Sequence, residues 1–267
     1  MLALLLLIAP TALPSAPTRI PSRVQPIVLD DDVEVPDKRP EVKALLDKLL
    51  SHTKKRGDED AQAIQIIERL AAEFKRSGPV DKKSIVTGLT RAMRVHRPFA
   101  RDGARKNQMF LVGARVLGDM APESVASLIR LASDKNHKED YEVRSAILSS
   151  LGKTKDKKAL GVLTKELDEH QPRVQAAAAE ALGQFSHLDQ KKRKVIFGDL
   201  LKLLMSSQSA HQSDPTGTTT SERWRLVPGP CKRSMAKLSG ANAGSPNKWR
   251  DWWNDNKKRN WDKKNKH

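Results

Sequence analysis

Val143–Thr154 reads VRSAILSSLGKT and Pro172–Phe185 reads PRVQAAAAEALGQF. Both run small and apolar residues through a helical pattern and close on Leu-Gly, at Leu151-Gly152 and Leu182-Gly183. A third, looser copy, FLVGARVLGDM over Phe110–Met120, closes on Leu117-Gly118. The glycines are 34 and 31 residues apart, a period that marks an array of like units. Glycine just past the last apolar position predicts a left-handed helix stop there, since it has no Cβ to clash.

A second helix follows each Leu-Gly. Pro122 is placed at a first helical position, and Asp156 and Asp189 stand where they can N-cap KKALGVLTKEL and KKRKVIFGDLLKLLM. Pro172 opens the PRVQ helix in the same manner. Apolar residues recur at three- and four-residue steps, as in Leu160, Leu163 and Leu167 or Ile196, Leu200 and Leu204. A single pair of helices cannot bury both apolar faces, so each must stack on the next. Residues 39–205 are read as such pairs, clearest over 107–205. Upstream, Pro40–Thr53, Asp58–Arg76 and Val80–Val95 form one or two degenerate pairs, and Arg97–Lys106 is a connecting loop.

The ends differ in character. Leu2–Ala9 is an unbroken apolar run followed by small and Pro-rich residues, so 1–20 reads as a signal peptide and 21–38 as an extended Pro-rich linker. No other segment approaches the ~18 apolar residues of a membrane-spanning helix. The stretch 206–222, opening SSQSAHQSDPTG, is polar and reads as a long loop. Residues 223–267 are read as a helical cap with a tryptophan cluster and a basic tail.

The chain has 49 Lys and Arg against 32 Asp and Glu, a formal charge of +17, which attracts anionic surfaces without choosing among them. Its one cysteine, Cys231, excludes an internal disulfide, and no Cys/His set has zinc-ligand spacing. Only 4% of the residues are aromatic, which argues against a β-sandwich. No Walker loop, nucleophile elbow or paired-histidine motif occurs. The reading is therefore non-enzymatic, with no cofactor and no metal.

Two features carry the binding readings. Lys75–Lys106 has a local charge of +8 and includes Arg91, Arg94, Arg97, Arg101, Arg105 and Lys106; Lys191, Lys192 and Arg193 form a second cluster. These are the residues expected to meet an anion or a partner. Trp249, Trp252 and Trp253 share one helix face behind Ser245-Pro246, with Trp261 beyond. A solenoid end must cover its last apolar face, so the four are read as a structural cap rather than a platform for stacked bases.

Pro172–Phe185, with Pro, Val and an Ala-rich run into Leu-Gly, and the Val143-Arg144 copy are similar to the first helices of HEAT repeats. Residue 175 is Gln where that pattern prefers Arg. The end of the chain, MAKLSGANAGSPNKWRDWWNDNK, resembles the terminal segment of exported bacterial HEAT-repeat proteins. The resemblance implies an all-α solenoid, a right-handed superhelix that presents a surface to partners and shares no catalytic residues. The expectation is an interaction scaffold of the bacterial cell envelope, periplasmic or secreted, taking a protein partner. The alternative is a polyanion-binding module for nucleic acid or an acidic envelope polymer.

Overall fold

The computed structural model describes residues 36–97 and 106–262. The signal-peptide reading, Arg101, Arg105 and the last basic residues of the tail lie outside them. Among the described residues there is no β-strand.

The helices form two layers. In the first, α2 (Asp60–Lys75), α4 (Gln108–Gly118), α6 (Tyr141–Thr154), α8 (Pro172–Leu182) and α11 (Pro228–Ser239) each pack on the next. The second holds α3 (Pro79–Met93), α5 (Val125–Ala132), the short α7 (Leu160–Lys165) and the long α9 (Gln190–Ser213). α1 (Pro40–Thr53) leans on α2 and α3, α10 (Thr218–Leu226) lies on α8 and α9, and α12 (Pro246–Asn256) packs on α9. This is an α-solenoid, its dry interior running between the layers from Val42 to Trp249. Each Leu or Ile buried there contributes ~1.5–3 kcal/mol before entropic losses.

Local signals set most helix starts. Asp140, Asp156 and Asp189 accept amide hydrogen bonds from Val143, Lys158 and Lys192 at 3.1, 2.8 and 3.0 Å. Each satisfies a donor that the helix itself cannot. Pro40, Pro79, Pro172, Pro228 and Pro246 open helices where a missing N–H costs nothing. Pro122 does not: it sits in a turn, and α5 begins at Val125.

The Leu-Gly glycines are not left-handed stops. None has a positive φ; Gly118 and Gly152 are still helical and Gly183 has φ −64°. Their purpose is close approach. A Cβ on Gly118 would stand 3.2 Å from the Cα of Ser150, and one on Gly183 would stand 3.0 Å from the Cα of Ser234. On Gly152 it would meet the Cα of Ala181 at 2.7 Å. The repeated glycine thus sets the spacing of successive first-layer helices.

The polar stretch 206–222 is not a long loop. α9 continues to Ser213 and α10 starts at Thr218, which leaves a turn held by the Gly217 amide donating to Asp214 at 2.8 Å. The serines are accommodated because Ser206 and Ser207 donate back to the Leu203 carbonyl at 3.0 and 2.8 Å. His211 stacks on Trp224 of α10, ring centroids 5.5 Å apart, so a long-range partner stabilises helix where composition favours coil.

Candidate functional site

The basic residues picked from sequence divide sharply once placed. Arg91 is exposed on α3 and makes no ion pair among the described residues. Arg94 Nε bonds Asp134 at 2.7 Å. Burial works against ionisation of Asp134, yet the Asn136 amide and the Arg94 guanidinium hold its carboxyl below the ordinary value. Lys106 reaches Asp58 at 2.5 Å, and Lys192 lies 3.5 Å from Asp189. Lys191 is exposed.

Arg97 and Arg193 are corrections to the anion-binding set. The Arg97 side chain is 6% exposed, bonds Asp60 and the Lys106 carbonyl at 2.8 and 2.6 Å, and lies 4.3 Å over the Phe110 ring. Arg193 donates to the carbonyls of Leu188 and Leu238 at 3.0 and 2.7 Å and pairs with Asp262. It ties the start of α9 to the end of α11. Both side chains are enclosed, 6% and 10% exposed, and already bonded within the chain, so neither guanidinium is presented to a ligand.

Phe197 of α9 is the hub of the tryptophan cluster. The rings of Trp249, Trp252, Trp253 and Trp261 lie 5.7, 5.3, 5.1 and 5.5 Å from it, Trp253 stacked at 15°. α12 ends at Asn256, and the chain folds back so that Trp261 Nε1 donates to the Asn256 carbonyl at 3.0 Å. Trp249 is 1% exposed. Rings turned onto a buried phenylalanine form a packed aromatic layer over α9. Cys231 is fully buried, and burial pushes its thiol up to about 12, so it stays protonated and inert at neutral pH.

Furrows separate successive first-layer helices. One of about 620 Å³ between α2 and α4 is lined by Ala71, Phe74, Val116 and Met120. Another of about 250 Å³ lies between α4 and α6, beside Leu111 and Ala146, and a third of about 500 Å³ between α6 and α8, beside Ala181 and Gln184. Ser149 and Lys153 line both of the last two. Charges rim them, including Asp119 paired with Lys153, and Glu180 held by Arg233 at 2.8 Å. Sequence reading passed over these surfaces, because a furrow joins residues some thirty positions apart in different helices.

It also passed over Arg144, Asp168, Asp199 and the surroundings of Gln175. The signal was present in the register of the repeats: Arg144 and Gln175 each stand eight residues before the glycine of their Leu-Gly step.

A family model of HEAT repeats matches residues 111–183 and 136–196. Comparison with the curated proteins and with the solved structures gave no match. HEAT repeats are generally protein-interaction scaffolds and typically carry no enzymatic activity. The overlapping matches fall on the α4–α9 helix pairs, and with the all-helical fold they support a HEAT-repeat protein.

Proposed function

We propose that this chain is a non-enzymatic scaffold that binds a protein partner outside the cell that makes it. The observation that carries the reading is the set of parallel furrows on the first layer, floored by small residues such as Ala71, Ala146 and Ala181 and rimmed by charge. Small floors admit side chains from another surface, and a few such insertions dominate an interface. The Leu2–Ala9 run supports export.

Affinity capture from an envelope fraction tests it. One stoichiometric protein should be retained, and Ser149→Arg, which fills two furrows from an exposed position, should abolish retention without lowering the melting temperature. Retention unchanged by that variant would remove the furrows from the interface. Mass spectrometry of the native N-terminus checks export; an intact Met1 would defeat it.

A second reading, polyanion binding, is favoured by one observation. Second-layer cations Lys83, Arg91, Arg130 and Lys165, with Lys135 and Lys158 in the turns beside α5 and α7, are exposed and make no ion pair among the described residues. Those of the first layer are more often paired, as Lys153, Arg233 and Lys237 are. Retention on heparin should then weaken with salt, and on duplex DNA the log–log slope should be about −0.9 per phosphate contact.

A further inference from the structure

Two successive repeats differ by one charge. In the α6–α7 repeat, Arg144 reaches Glu166, which stands ten residues after the capping Asp156. Its Nη2 lies 2.5 Å from Glu166 and 2.7 Å from Glu169. Burial lowers the pKa of Arg144, but the two carboxylates more than reverse that and hold the guanidinium charged.

In the α8–α9 repeat the same register positions are Gln175 and Asp199, the latter ten residues after the capping Asp189. Gln175 is 3% exposed; its Nε2 donates to the Leu167 carbonyl at 3.0 Å, and its Oε1 has no hydrogen-bond partner. Neither Asp199 nor Asp168 has an ion-pair partner among the described residues. Gln175, Asp168 and Asp199 line one cleft of about 280 Å³. Burial raises the Asp199 carboxyl above its ordinary value; Lys202 works against that and Asp168 adds to it.

We infer that this cleft receives an arginine side chain from the protein partner, which supplies the guanidinium that Arg144 supplies one repeat earlier. The inference rests on the scaffold reading. Asp168 in the turn after α7, Gln175 on α8 and Asp199 on α9 bring acceptors from three elements to its lining. A planar group with five N–H donors matches them, whereas an ammonium has three donors and is harder to desolvate. Lys202 and Arg223 also line the cleft, and the buried Arg223 Nε has no partner. Neither makes an ion pair with the two aspartates, so they compete for the site without filling it.

The test titrates the full chain with acetyl-Gly-Arg-Gly-amide and with its citrulline isostere, which keeps the shape and loses the charge. The arginine peptide should bind at least about tenfold more tightly, as charge-assisted bonds exceed neutral ones. Asp199→Asn should abolish that preference while leaving the melting temperature unchanged or higher. Gln175→Arg should place a guanidinium in the cleft from within, raising the melting temperature and excluding the peptide. Equal binding of the two peptides, no binding up to roughly 10 mM, or wild-type binding by Asp199→Asn would each overturn the inference. A partner captured equally well by Asp199→Asn would also sink the cleft yet leave the scaffold standing. Capture of polyanion alone would sink the scaffold.

Discussion

Gly152 and Ala181 mark the closest backbone approach among the three Leu-Gly steps: a Cβ on Gly152 would stand 2.7 Å from the Cα of Ala181. Backbone cannot yield as a side-chain tip can. Gly152→Ala should therefore destabilise by ~1–3 kcal/mol, overpacking outweighing the better helix propensity of alanine. Gly161 in α7 is the control, since a Cβ there meets nothing within 4 Å. Gly161→Ala should stabilise by roughly 0.5–1 kcal/mol. Denaturant unfolding of the two variants checks the sign; a shift in the same direction for both would show that close approach is not what the Leu-Gly glycine provides.

Phe197 touches all four tryptophans of the C-terminal cluster. Phe197→Ala is expected to cost about 3–5 kcal/mol and to shift tryptophan emission to the red as water reaches the rings. Trp252→Ala should lower the melting temperature as well. Unaltered stability combined with a lost ligand would make the cluster a binding platform.

Arg193 and Arg91 should separate structure from surface charge. Arg193→Ala leaves the carbonyls of Leu188 and Leu238 unpaired and is expected to destabilise by about 2–4 kcal/mol. Arg91→Ala removes an exposed charge and should stay within about 0.5 kcal/mol of wild type. Only Arg91→Ala should weaken heparin retention, if polyanion binding operates. Early elution of folded Arg193→Ala would return Arg193 to the anion-binding set.

Glu169 and Asp134 tie stability to acid pH. The Arg144 hydrogen bond, and then the His170 amide, hold the Glu169 carboxyl below its ordinary 4.5. Asp134 is shifted downward too, from 3.8. A carboxylate with a depressed folded pKa gives stability that is fully present above its unfolded value and is lost as pH falls through the folded one. Melting temperature should thus fall below about pH 4.5, not between pH 5 and 7. Arg144→Gln should be less stable by about 3 kcal/mol at pH 7 and show a shallower acid limb. An acid limb as steep as wild type's would make the Arg144–Glu169 pair energetically silent.

Much of the fold was legible without coordinates. Period-3.6 apolar spacing, the capping aspartates at 156 and 189 and the prolines that open α8 and α12 are local devices, and local devices are written in adjacent residues. The repeat itself was legible through Leu-Gly. What the glycine does was not, because αL stop and close approach ask for the same missing Cβ, and only the position of Ala181 decides between them.

The polar run from Ser206 to Ser213 shows the same limit: composition says loop, and packing against α10 makes it helix. Among the charges, sequence gave type and count but not commitment. Arg91 and Arg97 look alike in the chain, yet one faces solvent and the other is buried against Asp60 and Phe110. The exchange of Arg144 for Gln175 was visible as a letter, and acquired meaning only when the fold brought Asp199 to the same cleft. Sequence by itself determined most of the helices and the period of their array, because backbone hydrogen bonding and apolar periodicity act over one or two turns. Tertiary structure decided which polar groups are already satisfied, because their partners come from helices tens of residues away.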